Sequence, residues 1–277
     1  MDYHAKLMDH LCHYKEFHLG IRTSGAERRR QHPALPREFF DLNILPGYRR
    51  PFRALAERAP LFDLQGDFHC LHSSQALCFN FFIPFVQHPS RHDILLTALG
   101  QAGDTISATS FELFYGPETD ELFDFYMELG SGQRLYFDVK LAENWFGPAH
   151  QSAMRSDALL ASSRADIVGL VSGDVLKSPD AARLIVLLKK LAYVCCGEER
   201  RLCCIFPRAN QRLHEAMRLL LRSLYPALRE KIVVLHLEDL VAAVRRAGAK
   251  AGREDVVRHF QQLERKYIPA DREAGRP

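Results

Sequence analysis

The sequence contains no apolar run long enough to cross a lipid bilayer. The best candidate, Leu77–Val86, is too short for a membrane span and is interrupted by Asn80 and Pro84. The first residues, MDYHAKLMDHLCHYKEF, also lack the apolar core of a signal peptide. These absences argue against a membrane-spanning or secreted protein and predict a soluble protein of the cytoplasm.

The cysteine pattern excludes two further classes of protein. The chain has seven cysteines, and the adjacent pairs Cys195-Cys196 and Cys203-Cys204 lack the two-residue spacing of a zinc site. An odd count in these positions does not suit a disulfide-stapled domain. We predict that the adjacent cysteines serve as small buried hydrophobic residues.

The histidines near the N-terminus do not complete a metal-binding pattern either. His10 and His13 have the i, i+3 spacing that could place two ligands on one face of a helix. Because no neighbouring cysteine or acidic residue completes a site, metal binding is not favoured there. The sequence leaves the role of this segment open.

Acidic and basic residues are unevenly distributed, although the net charge is only +3. Nine acids and two bases lie between Asp104 and Glu143, whereas residues 20–58 carry nine arginines and four acids. Further basic excesses cover Arg208–Lys231 and Arg245–Arg253. An acidic centre with basic surroundings suits a metal-dependent enzyme that acts on a polyanion, although charge alone favours the simpler alternative of arginines that solvate helical surfaces. The candidate phosphate contacts are Arg28, Arg29, Arg30, Arg49, Arg50, Arg218 and Arg222.

The order of predicted elements indicates one α/β domain. A helix precedes three consecutive strands, and helix, strand, helix, strand and helix follow, which predicts a mixed central β-sheet flanked by helices. We expect an N-terminal basic extension over residues 1–69, the α/β domain over residues 70–268 and a disordered tail over residues 269–277. The predicted strands are Thr109–Tyr115, Leu122–Leu129, Gln133–Leu141, Arg201–Phe206 and Lys231–Leu237, and the predicted helices are His72–Val86, Arg91–Ala102, Ala181–Cys196, Asn210–Leu224, Glu238–Arg246 and Arg253–Lys266.

The acidic centre contains a predicted hairpin that brings charged residues into apolar strands. Gly130-Ser131-Gly132 supplies the turn, and alternation places Asp138 and Lys140 on one face of the second strand. An Asp-x-Lys pair alone is common as a structural ion pair at a sheet edge. However, Asp124 and Asp138 each interrupt an apolar run, where an unpaired charge is costly, and they lie on neighbouring strands.

These residues suit metal-assisted hydrolysis of a phosphodiester bond. Asp124 and Asp138 would hold Mg²⁺ or Mn²⁺ through hard oxygen ligands. Lys140 would orient the attacking water or offset charge that develops on phosphorus. Glu112, on the preceding strand, would supply a further metal ligand or a proton acceptor.

Several nearby polar and aromatic residues have two plausible roles. Gln75 and Asn80 would either line the site from the first helix or satisfy neighbouring backbone groups. Glu143 would share the face of Asp138 if the strand continued, or else fix Lys140 or begin a loop. Trp145-Phe146-Gly147 is more typical of a packing and turn element than of a base-stacking wedge.

The stretch that carries these residues resembles the PD-(D/E)XK nuclease superfamily. Asp124 is followed fourteen residues later by Asp138-x-Lys140, after a helix and a first strand, as in that superfamily's core of helix, three strands, helix and strand. Three short segments further resemble a bacterial group described as restriction endonuclease-like, and the similarity of arrangement covers about residues 70–245. The segments are Ser73-Ser74-Gln75-Ala76 with Asn80, Phe123-Asp124, and Asp138-Val139-Lys140-Leu141-x-Glu143 leading to Phe146-Gly147.

The resemblance implies that Asp124 and Asp138 are metal ligands, that Lys140 is the catalytic lysine and that Glu112 is a fourth member. Two departures bear on activity. Phe123 stands where the motif has proline, and the acid before Lys140 is aspartate rather than the commoner glutamate, so its reach is one methylene shorter.

The implied function is a Mg²⁺- or Mn²⁺-dependent endonuclease that acts on DNA, with a role in restriction or defence. Two alternatives stay open at this point. One is a catalytically inactive nucleic-acid-binding or regulatory protein on a nuclease-like fold, and the other is a protein-interaction module whose Asp–Lys pair is structural. The sequence shows no dimer motif and leaves a homodimer open.

Overall fold

The computed structural model describes residues 2–22, 32–57, 64–114, 122–146, 169–171 and 181–270. Its helices are α1 (Tyr3–His18), α2 (Arg49–Glu57), α3 (Ser74–Val86), α4 (His92–Ala98), α5 (Ala181–Cys195), α6 (Gln211–Ser223), α7 (Pro226–Arg229), α8 (Leu237–Lys250) and α9 (Glu254–Tyr267). Its strands are β1 (Ile106–Phe114), β2 (Leu122–Leu129), β3 (Arg134–Val139), β4 (Arg200–Phe206) and β5 (Ile232–His236). Short 3₁₀ segments cover Arg37–Asn43, Pro46–Tyr48 and Pro89–Arg91.

The chain divides into two compact units. The helical unit comprises Met1–Asp104 together with Leu237–Pro277, and the sheet unit comprises Thr105–His236. The predicted boundary between residues 69 and 70 falls inside the helical unit and stays a prediction. Of the predicted tail, residues 271–277 lie outside the described part of the chain, as do Arg28, Arg29 and Arg30.

The sheet unit contains a five-stranded mixed sheet in the order β1-β2-β3-β4-β5. The first three strands run antiparallel, whereas β4 and β5 run parallel to β3. The α/β prediction with a mixed sheet and flanking helices is confirmed. The predicted hairpin turn also forms, because the Leu129 N–H donates to the Gln133 carbonyl at 2.8 Å and Gly132 adopts φ +87°.

Helices α5 and α6 cover one face of this sheet. Leu202, Cys204 and Phe206 alternate toward that face from β4, and they join one buried cluster with Leu187 of α5 and Leu213 of α6. The two crossovers, β3 to β4 through α5 and β4 to β5 through α6, explain why β4 lies between two parallel neighbours. The topology therefore places the end of β3 beside a helical layer.

The helical unit is more regular at its N-terminus than the sequence indicated. Within the segment predicted as a basic extension, α1 spans 16 residues. Its His10 Nε2 faces the carbonyl oxygens of Arg265 and Lys266 at 3.0 and 3.1 Å, where it satisfies the free end of α9. The His13 ring packs on Phe17, with 4.3 Å between centroids.

Helix α3 is buried on all sides and is capped at its N-terminus by Ser73. The Ser73 hydroxyl accepts a hydrogen bond from the Ala76 N–H at 3.3 Å. None of the described helices has the length and apolar character that a membrane crossing requires.

All seven cysteines are free thiols. Cys203 and Cys204 are buried on β4, as predicted for small hydrophobic residues. The same prediction is wrong for Cys196, which is exposed because it follows the last residue of α5.

Candidate active site

The two predicted acids meet where β2 and β3 diverge. Backbone pairing between these strands ends at Phe125 and Phe137. Just beyond, Asp124 Oδ2 accepts a hydrogen bond from the Val139 N–H at 2.6 Å. The Asp124 carboxylate thus takes the place of the backbone acceptor that β2 does not supply here, and it lies at the end of β3.

Lys140 connects the two carboxylates. Its Nζ lies 3.1 Å from Asp138 Oδ1 and 3.9 Å from Asp124 Oδ2. Asp138 is completely buried, whereas 11% of the Asp124 side chain and 15% of the Lys140 side chain are exposed. The structure therefore brings Asp124, Asp138 and Lys140 together in one partly accessible cluster.

A fourth charged residue, Lys190 of α5, completes the cluster and was missed from the sequence. Its Nζ donates to Asp138 Oδ1 at 2.6 Å, and 4% of the residue is exposed. The helical spacing of the sequence could have indicated that Lys190 is buried, because it lies on the same face of α5 as the buried Leu187, Leu191 and Val194. A lysine on the buried face of an apolar helix requires a buried hydrogen-bond acceptor, such as a carboxylate.

The electrostatic environment shifts the two acids in opposite directions. Burial raises the pKa of Asp138, but Lys140 and Lys190 together outweigh it and lower that pKa to about 2. Burial also raises the pKa of Asp124, and Lys140 does not cancel the effect, so this pKa stays above its ordinary value. Carboxyl groups whose pKa values are driven apart are common at catalytic sites, and they also occur in structural ion networks.

Lys140 itself remains cationic. Burial lowers its pKa, but the carboxylates of Asp138 and Asp124 raise it by more, so the net shift is upward. Its backbone N–H donates to the Ile205 carbonyl on β4 at 2.8 Å, which anchors the residue at the end of β3. The ammonium group is thus a fixed positive charge.

The loop after β3 is held by Glu143 and Asn210. Glu143 Oε2 accepts from the Leu141 N–H at 2.7 Å. Asn210 Nδ2 donates to the carbonyls of Leu141 and Glu143, while its Oδ1 caps α6 at the Leu213 N–H. Of the roles open to Glu143, the geometry favours fixing the segment that carries Lys140.

Glu112 occupies an unusual backbone position on β1. The pairs Phe111–Phe125 and Leu113–Phe123 place it opposite Asp124. Its φ is +52°, a region that non-glycine residues rarely adopt, and 7% of the residue is exposed. Its role as a metal ligand or proton acceptor stays a prediction.

The other predicted residues have structural contacts of their own. Gln75 Oε1 accepts from the Gln65 N–H at 3.1 Å within the helical unit. Asn80, in the same unit, is completely buried and donates to the Tyr267 hydroxyl at 2.8 Å. Phe146 is buried and packs edge-on against Phe206, as expected for a packing element.

The candidate phosphate contacts differ in exposure. Arg50, Arg218 and Arg222 are exposed. Arg49 is half-buried, and its Nε donates to the Ile44 carbonyl at 2.9 Å. Arg218 and Arg222 lie on α6, within the unit that contains the acidic cluster.

The donor set of the cluster fits a hard divalent cation. Mg²⁺ is commonly held by one or two carboxylates, with waters and substrate phosphate completing its shell. Asp124 and Asp138 supply two carboxylates, and the buried Asp138 Oδ2 has no hydrogen-bond partner within the described chain. Among the described residues, no group of three or more His, Cys, Asp and Glu is arranged to hold a metal ion. A cation here would therefore depend on these two acids.

A family model described as "Restriction Endonuclease associating with ARP" matches residues 5–268, which is nearly the whole chain. No curated protein and no solved structure gives a significant match.

Proposed function

The chain belongs to the family described as "Restriction Endonuclease associating with ARP", and on that premise we propose that it is a metal-dependent endonuclease of the PD-(D/E)XK type. Its substrate would be DNA, and its role restriction or defence. The observation that supports this most strongly is the contact of one ammonium group, Lys140 Nζ, with both Asp138 and Asp124.

Asp124 and Asp138 would hold Mg²⁺ or Mn²⁺, and Glu112, which is not grouped with them as a third ligand among the described residues, would serve as the predicted proton acceptor. When bound, such an ion polarises the scissile phosphate and lowers the pKa of a coordinated water. The Asp124 side chain is partly exposed, which would let a phosphate approach it from solvent.

Lys140 would stabilise negative charge as it develops on the phosphate. A preformed cation at this point needs little reorganisation during the reaction, which is the main source of electrostatic catalysis. Its contacts with Asp138 and with Ile205 of β4 hold it on a rigid element. The exposed Arg218 and Arg222 would contribute phosphate contacts that position the duplex.

A second candidate is a DNA-binding protein on the same fold that does not cleave. The observation in its favour is that Lys140 and Lys190 together balance the charges of Asp124 and Asp138. Such a cluster requires no cation to be stable.

Cleavage of supercoiled plasmid and linear duplex with Mg²⁺ or Mn²⁺ separates these functions. We expect nicking by the wild type that EDTA abolishes. Lys140→Met, which keeps the length of the side chain and removes its charge, should slow cleavage by about 100-fold or more. Asp124→Asn should act in the same direction, and Lys6→Met, at an exposed position of α1, is the matched control.

Each alternative outcome would favour a different function or a different set of catalytic residues. Wild-type rates in folded Lys140→Met and Asp124→Asn would show that these residues do not carry the reaction. Salt-dependent DNA binding without cleavage under either metal would favour the second candidate. Neither binding nor cleavage at low salt would leave a protein-interaction module with a structural Asp–Lys pair.

A further inference from the structure

The buried ammonium group of Lys190 contacts the carboxylate that is proposed to bind the metal ion. Lys190 Nζ lies 2.6 Å from Asp138 Oδ1, closer than Lys140 Nζ at 3.1 Å. Both ammonium groups therefore share one oxygen of Asp138. The catalytic scheme needs Lys140 but assigns nothing to Lys190.

The position of Lys190 is fixed by its surroundings. Its side chain is 5% exposed, and its Nζ lies 5.7 Å from the centre of the Phe123 ring. On the same helix, Leu187, Leu191 and Val194 are completely buried. Because Lys190 is buried beside these apolar side chains, moving its charge away from Asp138 costs free energy.

The charge of the cluster changes with Lys190. Two carboxylates and two ammonium groups sum to zero, so a divalent cation would approach a neutral cluster. Without Lys190 the same three side chains carry one negative charge. A cation is attracted to the second arrangement and gains little from the first.

We propose that Lys190 is a positioning residue that competes with the divalent cation for Asp138. A cation that binds the unpartnered Asp138 Oδ2 then lies beside the Lys190 ammonium group on Oδ1, and the repulsion between the two charges sets the metal affinity of the site. This inference rests on the proposed metal-dependent function and deepens it. The chemistry remains with Asp124, Asp138 and Lys140.

The test is the affinity of the DNA-free protein for Mn²⁺, measured by electron paramagnetic resonance of the unbound ion. Lys190→Met should bind Mn²⁺ at least about tenfold more tightly than the wild type, because one positive charge next to the cation is removed. Lys190→Arg keeps the charge and should stay close to the wild type. Lys189→Met, at the adjacent half-buried lysine of α5, is the matched control and should leave the affinity unchanged.

A merely structural role for Lys190 predicts the opposite direction, since loss of order at Asp138 weakens metal binding. Unchanged or weaker Mn²⁺ binding by folded Lys190→Met would therefore overturn the inference while the metal site itself stands. Absence of Mn²⁺ binding in the wild type and in every variant would overturn the proposed function as well.

A second measurement on the wild type covers the case in which Lys190→Met does not fold. In protein labelled with ¹⁵N-lysine, the hydrogen-bonded ammonium signal of Lys190, assigned by its absence from Lys190→Arg, should shift or disappear as Mg²⁺ is added. NaCl at equal ionic strength should leave it in place. A Lys190 signal that is unchanged when Mg²⁺ saturates the protein would contradict the competition between Lys190 and the cation.

Discussion

Replacement of Asp138 by asparagine should lower the free energy of unfolding of the metal-free protein by about 3 kcal/mol at neutral pH. The variant keeps the shape of the side chain but leaves the ammonium groups of Lys140 and Lys190 without their shared carboxylate. A pKa lowered from 3.8 to about 2 corresponds to roughly 2 kcal/mol of stabilisation of the charged form. Breaking a buried ion pair by removing one partner costs about 3–5 kcal/mol, which gives the upper limit of the expected loss in the free energy of unfolding.

The pH dependence of this loss has a definite sign. Because the folded pKa of Asp138 is lowered, its contribution is fully present above the unfolded pKa of about 4 and disappears as the pH falls through about 2. The difference between wild type and Asp138→Asn should therefore be constant from pH 7 to pH 5. It should shrink below pH 4.

Restoring the charge balance should recover part of the stability. In Asp138→Asn/Lys190→Met, the remaining Lys140 and Asp124 carry opposite charges, and no ammonium group is left isolated in the apolar layer. We expect the double variant to be more stable than Asp138→Asn alone. Non-additivity of this kind is the signature of a direct interaction between the two residues.

The assay is urea unfolding in EDTA, followed by the fluorescence of Trp145, the single tryptophan of the chain, which lies in the sheet unit. Glu215→Gln, at an exposed acid of α6 in the same unit, is the matched control and should change stability by less than about 0.5 kcal/mol. The reasoning is refuted if Asp138→Asn costs no more than the control, or if the added Lys190→Met gives no recovery.

Three further predictions concern side chains outside the acidic cluster. Asn80→Ala should lower the free energy of unfolding by about 3 kcal/mol or more, because the Leu45 N–H, the Asn43 carbonyl and the Tyr267 hydroxyl lose a buried partner; a loss below about 1 kcal/mol in urea unfolding would contradict this role. Burial lowers the pKa of His259 to about 4, so its contribution to stability should fall by roughly 3 kcal/mol as the pH drops from 6.5 to 4. His259→Gln keeps a donor for the Asn80 carbonyl and should flatten that part of the curve, whereas an unchanged slope would rule out His259 as its source. Iodoacetamide should label the exposed Cys196 in the folded protein but not the buried Cys203 or Cys204, because burial raises the pKa of both thiols. Mass spectrometry of the labelled peptides measures this order, and labelling of Cys203 or Cys204 before Cys196 would contradict it.

The strands were predictable because their side chains alternate or form short apolar runs between glycine and proline signals. Leu122–Leu129 has the predicted bounds, and the other four strands differ by at most three residues at an end. Periodicity fixes which residues enter a sheet, and the hairpin signal fixes that β2 and β3 are neighbours. These two features were sufficient to bring Asp124 close to Asp138.

The contacts that define the site depend on tertiary structure that local pattern does not contain. The bond from the Val139 N–H to Asp124 exists because β2 pairs with β3 only from Phe125 onward, and no residue type signals that divergence. Lys190 lies 52 residues from Asp138, and only the packing of α5 on the sheet joins them. The His10 contacts that satisfy the end of α9 likewise link positions 255 and 256 residues apart.

The central claim is that Asp124 and Asp138 share one divalent cation, and anomalous scattering from crystals of the wild type soaked in MnCl₂ tests it most directly. The account predicts an anomalous peak within coordination distance of a carboxylate oxygen of each residue, with Lys140 Nζ nearby. A peak that contacts neither residue, or a fully soaked crystal with no peak between Asp124 and Asp138, would contradict it.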